Sequence, residues 1–417
     1  MTSPSLQRRL GLGDAVFIGL GSMIGAGVFS AWGPAAVSAG SGLLIGLAVA
    51  AIVAFGNATS TAQLAARHPT SGGTYAYGRA ELGPWWGFIA GWGFVIGKIA
   101  SCAAMALTFA AYAAPAGWER PVAVAAVVGL AAVNWFGITR TAQLTRLIVV
   151  VVLLTLAVAV AAGAAAPDAQ GWLTPSAMWA GGWYGILQSA GLLFFAFAGY
   201  ARIATMGEEV RDPGRTIPRA IVLAFTGALV VYALVAVTVL SALGPDATAA
   251  STDPVAAATA ASGWRWAEPV VRVGAAAASL GALLALIAGI GRTTFAMARE
   301  GDLPRALAGV HPRWHVPHRA EVAVAAVVVL LVAVVDLRGA IGFSSFGVLL
   351  YYLVANIAAF RQHADARRFP RALQTIGAAG CVILGLTLPW QSVLAGVVVA
   401  LAGVGYRMLR LRLTRAA

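Results

Sequence analysis

The sequence predicts an all-α polytopic membrane protein with twelve transmembrane helices, and three observations carry that expectation. First, 60% of the 417 residues are hydrophobic and only 10% are charged, whereas soluble domains carry about 25% charged residues. Second, a spanning helix needs about 20 apolar residues, so this apolar content suffices for about twelve spans. Third, nothing alternates with the period of a barrel strand, and isolated strands would leave their backbone unpaired in lipid.

Apolar segments bounded by charged, proline or glycine-rich joints fall at about 14–39, 43–66, 84–113, 121–136, 144–166 and 185–206. A second set follows at about 218–243, 267–298, 320–336, 340–360, 373–389 and 391–408. The first run follows two arginines as a signal peptide would, but it lacks a convincing cleavage site. It is expected to be a retained first span with signal-anchor character. An even number of spans places both termini on the same side.

Charge chooses that side. The net charge is +13, which in a soluble protein would suggest nucleic acid. Position gives it another meaning, because cytoplasmic loops of membrane proteins collect arginine and lysine. With the N-terminus inside, twenty-two of the 28 basic residues fall on the cytoplasmic face, among them Arg8, Arg9, Arg67, Arg79, Arg140, Arg146, Arg407 and Arg415. Four, Arg120, Arg265, Arg272 and Arg338, fall outside, and Lys98 and Arg202 lie within spans. The chain is therefore expected in the cell (inner) membrane, multi-pass, with cytoplasmic termini and the lipid bilayer, not nucleic acid, as its surroundings.

Other side chains exclude more than they assign. Two cysteines, Cys102 and Cys381, give neither a disulfide framework nor a metal-ligand spacing, and are expected to be buried. His311, His315 and His318 lie in a loop rich in proline and arginine, and no metal is expected there. Trp172, Trp179 and Trp183 are expected to form an interfacial belt on the outer side, with Trp85, Trp86 and Trp92 doing the same inside. No phosphate loop, nucleophile triad or paired-carboxylate site is present, which argues against an enzyme and against any cofactor.

Two spans are interrupted as ordinary membrane helices are not. Span 1 contains Gly19-Leu-Gly21-Ser-Met-Ile-Gly25-Ala-Gly27, and span 6 contains Phe194-Phe-Ala-Phe-Ala-Gly199-Tyr200. These open two five-helix halves, about 14–166 and 185–360, with spans 11 and 12 at about 373–408, all in one domain covering 1–417. Interruptions at matching positions point to an inverted repeat with a binding site at the breaks. Gly21-x-x-x-Gly25 also fits a small-residue helix-packing face, and span 1 alone leaves that alternative open. Spans 11 and 12 carry no legible chemistry and are expected to scaffold or dimerise.

Five segments together resemble the amino acid–polyamine–organocation (APC) permeases, which have the leucine-transporter-type fold. They are Gly21-Ser-Met-Ile-Gly-Ala-Gly-Val-Phe29, Ser71-Gly-Gly-Thr-Tyr-Ala-Tyr77 with Gly83-Pro84, and the span 6 segment. Glu208-Glu-Val-Arg-Asp-Pro-Gly-Arg-Thr-Ile-Pro-Arg219 follows, then Phe295-Ala-Met-Ala-Arg-Glu-Gly-Asp-Leu-Pro304 with the His311 and Pro317 motifs. The match runs in order through spans 1 to 10. It implies an amino acid permease that works by alternating access, with a small-molecule amino acid as partner.

The residues suit that substrate. An unwound backbone through Met23, Ile24, Gly25, Ala26 and Gly27 exposes N–H groups beside a half-helix N-terminus, which suits a carboxylate. Carbonyls near Met23, and those of Phe195, Ala196 and Ala198, suit an ammonium group. In the family the aromatic matching Phe195 closes over the substrate. Small residues with no acid or base nearby point to a neutral amino acid.

Lys98, the sole lysine, stands near the middle of span 3. About fourteen residues, roughly 21 Å of helix, separate it from the helix start, so it cannot easily snorkel. A lysine held there without a counter-charge can take up and lose a proton near neutral pH. Proton-coupled family members often carry a lysine in span 5, where the matching position here is Val152. Lys98 is therefore the candidate coupling or gating residue, with the proton as coupling ion. The alternative is a structural lysine bound to broken-helix carbonyls. Arg202, just beyond the span 6 break, is expected to pair with Glu208, Glu209 or Asp14 as an inner gate, or else to snorkel. Proton symport, uncoupled exchange or export, and a non-transporting sensor all remain open at this stage, as do the particular amino acid and the oligomeric state.

Overall fold

A computed structural model describes residues 10–68, 72–137, 142–207, 209–314 and 316–416. Arg8, Arg9, Ser71, Arg140, Glu208 and His315 lie outside the described residues. The described chain is helical nearly throughout, and each apolar segment read from the sequence coincides with a helix or an interrupted helix. Span 1 comprises α1 (Leu12–Met23), α2 (Gly27–Ser30) and α3 (Trp32–Ala39). Next come α4 (Leu43–Arg67), the short α5 (Gly73–Leu82), α6 (Pro84–Ala113), α7 (Glu119–Trp135) and α8 (Ala142–Ala164). After α9 (Pro175–Met178), span 6 is formed by α10 (Gly182–Phe197), a 3-10 turn and α11 (Ala201–Ala204). The chain continues through α12 (Pro213–Ala250), α13 (Pro254–Ala261), α14 (Ala267–Arg299), α15 (His318–Val334) and α16 (Leu337–Arg361). It finishes with α17 (Arg371–Thr387) and α18 (Trp390–Ala416).

Nine stretches of the described residues are long and apolar enough to cross a membrane by length and composition. The helices α7, α15 and α17 are shorter, at 17 residues each. Local chemistry sets several of the boundaries. Pro84 opens α6 where its missing N–H costs nothing, after Gly83 with φ +101. Within α12, Gly244 takes φ +74 ahead of Pro245 and kinks the helix where span 7 was expected to end, a conformation that suits glycine. Apolar side chains such as Leu154, Leu234, Val273, Leu330, Leu386 and Leu401 are exposed on the outside of the bundle. That inversion of the soluble pattern is what a lipid-facing surface requires.

The helix packing has an internal order. At the centre, α6 packs most extensively on α16 and α14. Numbering the segments as spans, the contact of span 3 with span 10 is matched by that of span 8 with span 5. Likewise, span 6 on span 2 is matched by span 1 on span 7, and span 1 on span 5 by span 6 on span 10. Exchanging each of the first five spans with the one five further on leaves these pairings unchanged. Outside this pattern, α17 packs on α16 and α4, while α18 rests on α16 and α6.

Both described chain ends lie on one face, called here the terminal face. Leu10 bridges to Val210, and Arg407 of α18 reaches Asp302 in the α14–α15 connection. Arg79 of α5 meets the same carboxylate at 3.1 Å, and the Arg407 guanidinium also stacks over Trp85 and Phe88 at 4.9 and 4.7 Å. Two tryptophans depart from the expected belts because their indole N–H groups find partners inside the protein. Trp172 is buried and donates to Asp168; Trp92 donates to the Val399 carbonyl of α18. Trp179 and Trp183 remain exposed, stacked edge to face.

Candidate functional site

The two interruptions differ in form and meet at one place. In span 1 the α-helix stops at Met23, Ile24 takes ψ 63, and the Gly25 N–H turns back to the Met23 carbonyl at 2.8 Å. Helix resumes at Gly27, so the N–H groups at the start of α2 have no intrahelical acceptor. Span 6 is tightened instead of unwound, passing through a 3-10 turn at Ala198–Tyr200. The backbones then touch. A Cβ on Gly199 would collide with the Ser22 carbonyl, and one on Gly27 would come within 2.8 Å of the Ala196 Cα. Glycine at these two positions is thus a condition of the contact.

Met23, Ile24, Gly25, Ala26, Gly27, Phe195, Ala196 and Ala198, read from the sequence as one site, do gather here, and all are buried. Gly21 has a different task. Its Cα faces the Val149 and Thr145 side chains of α8, so the packing reading of Gly21-x-x-x-Gly25 holds for its first glycine. The second belongs to the break.

The carbonyls expected to await an ammonium group are already engaged. The Tyr232 hydroxyl of α12 lies 2.7 Å from the Met23 carbonyl oxygen and 2.8 Å from that of Ala196, so one phenol joins the two breaks. Lys98 Nζ donates to the Ala198 carbonyl at 3.3 Å, and the Tyr352 hydroxyl of α16 donates to the same oxygen at 3.3 Å. The Phe195 carbonyl takes the Ala198 N–H. Buried carbonyls need partners, and side chains supply them. The Met23 oxygen, which also takes the Gly25 N–H, and the Ala198 oxygen each accept two hydrogen bonds, so both of their lone pairs are in use. On the far side of α2, the Tyr112 hydroxyl donates to the Phe29 carbonyl at 2.7 Å.

Lys98 therefore belongs to the crossing, bound to a broken-helix carbonyl as the alternative reading of the sequence expected. Its residue is 8% exposed, and no carboxylate of the described residues lies within ion-pair distance. Val152 is buried in α8. Arg202 stands apart: half exposed, it lies 3.9 Å from Glu209 and bonds the Thr205 hydroxyl at 3.0 Å. Asp14 is committed to Arg146 instead, and Glu208 lies outside the described residues. His311 and His318 pack edge to face around Trp135, and the described residues contain no cluster of three metal-ligating side chains.

Sequence reasoning missed Tyr232, Tyr352 and Tyr112. A signal was present: a tyrosine inside an apolar span must find an acceptor for its hydroxyl, and a break supplies carbonyls. It missed as well the tie on the face opposite the chain ends. There Arg338 at the start of α16 bonds the Ser38 hydroxyl of α3 at 3.1 Å and the Gln188 amide oxygen of α10 at 2.9 Å.

Comparison with known proteins bears on the same architecture. The chain is similar to an uncharacterised transporter of Mycobacterium tuberculosis, 59% identical over 416 residues, covering 99% of this chain and 93% of the relative. It is similar to the branched-chain amino acid permease BcaP of Bacillus subtilis, 26% identical, covering 96% of this chain and 92% of that one. A human cationic amino acid transporter 4 is 28% identical over 84% of this chain and 58% of its own length. The amino acid permease family profile matches residues 10–405. With broken helices meeting in a buried bundle and a match across nearly its whole length, the chain belongs to the amino acid permease family, within the APC group.

Proposed function

We propose that this permease is a secondary transporter of neutral amino acids that works by alternating access with proton coupling. In this reading twelve spans, ten of them in a five-plus-five inverted repeat, cross the cell (inner) membrane with both termini cytoplasmic. The interchangeable packing of the two sets of five spans supports the repeat, and the arginine-rich terminal face supports the orientation. The carrying observation is the crossing of the breaks. N–H groups at the start of α2 lie against the span 6 backbone at Ala196, matching the two ends of an α-amino acid whose ammonium would displace a side-chain donor from the Met23, Ala196 or Ala198 oxygen. Phe195 and small side chains around it, with no carboxylate, favour an uncharged substrate side chain. The relative BcaP, a branched-chain amino acid permease, agrees with that class.

Lys98 is the coupling residue in this reading. Its ammonium stands beside the last carbonyls of α10, where the helix dipole is negative and a positive charge is favoured. Losing the proton removes that attraction and loosens the hold of span 3 on span 6, which gives the cycle a reason to depend on protonation. The same bond would serve a purely structural lysine, and amino acid exchange without proton coupling is the rival reading it favours.

Counterflow of labelled amino acids into proteoliposomes tests transport itself, since a protein that only senses substrate would exchange no label. An imposed pH gradient then separates symport from exchange. Lys98→Ala is expected to lose acceleration by the gradient at least tenfold while keeping counterflow, and Lys98→Arg to lock the charge and slow both. Unchanged gradient dependence in both variants would falsify the coupling role.

A further inference from the structure

Between α4, α16 and α17 runs a stack of buried polar side chains of which the crossing of the breaks uses only the first. It begins at Tyr352, whose hydroxyl shares the Ala198 carbonyl with Lys98. One turn of α16 further toward the terminal face, the Asn356 amide donates to the Tyr352 carbonyl at 2.9 Å and to the Asn57 side-chain oxygen at 2.6 Å. The Ser60 hydroxyl donates to Asn356 at 2.6 Å. At the far end, Gln63 donates to the Gln362 side-chain oxygen at 2.9 Å, and Gln362 donates to Glu81 at 2.8 Å. Glu81 is bonded to His68, which is partly exposed on the terminal face.

Gln374 of α17 occupies the interval. Gly377 lies against the Asn57 and Asn356 amides, and Gln374 is three residues nearer the terminal face, about 4.5 Å along the helix. That is roughly halfway from Asn57 to Gln63, which are six residues or about 9 Å apart. Gln374 is 1% exposed, and both its amide nitrogen and its amide oxygen are buried without a protein partner. The Asn57 amide nitrogen is likewise unpartnered. Two orphan atoms on one side chain, with a donor and an acceptor both presented, are what a bound water satisfies.

We propose that this stack is an internal water-binding column that carries protons between Lys98 and the terminal face. The proposal rests on the proton-coupling reading for its cargo, while the water sites rest on the orphan amides alone. The transfer is a relay. The Lys98 ammonium gives a proton to a water that the Tyr352 hydroxyl holds. Each water then passes a proton on, and one leaves at the Glu81 and His68 mouth, so that Lys98 ends neutral and no proton is created or lost. The titratable groups along the way are Tyr352, Tyr200 and Cys381 within the bundle, and Glu81, His68 and Arg67 at the mouth. Asn57, Asn356, Ser60 and Gln374 do not titrate; they position water.

Gln374→Leu tests both parts, because it keeps the side chain's bulk and removes the two polar atoms. If the column holds water, the thermal midpoint of the purified protein stays level or falls, gradient-driven uptake drops at least tenfold, and counterflow at equal pH stays within twofold. Gln374→Asn, which retains both polar atoms, recovers much of the gradient-driven rate. A clear rise in the thermal midpoint of Gln374→Leu overturns the column, since a dry orphan amide is a cost that leucine removes. Gradient-driven uptake by that variant at the wild-type rate overturns the relay and leaves the role of Lys98 standing. If the wild type itself ignores the pH gradient, the coupling reading and the relay fall together. The thermal midpoint then still decides the water sites.

Discussion

The two breaks sit at matching places in the two halves of the chain, yet they solve the same problem by different means. Span 1 opens: three residues leave the helix, and the next helix begins with unpaired N–H donors. Span 6 tightens into a 3-10 turn, and its carbonyls are met by side chains from spans 3, 7 and 10. The difference follows from which backbone groups a break frees. Donors at a helix start favour an anion and can be left for a carboxylate. Carbonyls at a buried helix end must be partnered even when no substrate is bound. The chain thus keeps one break open and holds the other with hydroxyls and an ammonium, so that the crossing is ordered without any carboxylate of its own.

The largest expected effect breaks this arrangement at its contact point. In Gly199→Ala the new methyl meets the Ser22 carbonyl, which is backbone and cannot turn aside. Counterflow should fall to background in a protein that still folds. Gly21→Ala meets only side-chain atoms of Val149 and Thr145 and should keep at least a third of the wild-type rate. Equal damage from both would mean that the backbone crossing has no special importance.

A smaller effect is expected at the phenol that joins the breaks. Tyr232→Phe leaves the Met23 and Ala196 carbonyls without their shared donor, a loss of about 1–3 kcal/mol for buried acceptors. Substrate affinity, read by ligand-induced thermal stabilisation, should weaken about tenfold or more, since 1.4 kcal/mol corresponds to a factor of ten. Affinity equal to wild type would show that the two breaks hold their positions separately.

The smallest effect contrasts the crossing, which has no carboxylate, with the ionic terminal face. Burial pushes the Glu81 carboxyl up, but hydrogen bonds from Gln362 and His68, with the charges of His68 and Arg67, outweigh it and hold the group below its ordinary value. A carboxylate lowered on folding stabilises above its unfolded pKa, and that contribution disappears as pH falls through the folded value. The thermal midpoint of Glu81→Gln should therefore lie slightly below wild type near pH 7 and converge with it under acid. A constant gap from pH 7 down to pH 3 would mean the carboxylate's charge is irrelevant.

Much of this was legible in the sequence, and the unread remainder has a common cause. Glycines at 25, 27 and 199 announced the breaks because a membrane helix has no other reason to interrupt itself at matching places. Lys98 announced itself as a lone charge in an apolar span. Its acceptor, Ala198, is one hundred residues away, and no pattern within span 3 points to it. Gln63, Asn356 and Gln374 read as scattered polar residues in three separate spans until packing stacks them. Arg407 turned α18 from a featureless last span into a brace on the terminal face, because its partner Asp302 lies in a distant loop.

The sequence by itself determined the helices, the family and the places where helices stop, since hydropathy, glycine and proline act over a few residues. Only the tertiary structure decided which carbonyl each tyrosine and the lysine would satisfy. Those partners are chosen by the close approach of helices far apart in the chain, and the pressure that chooses them is the cost of leaving any buried polar group unpaired.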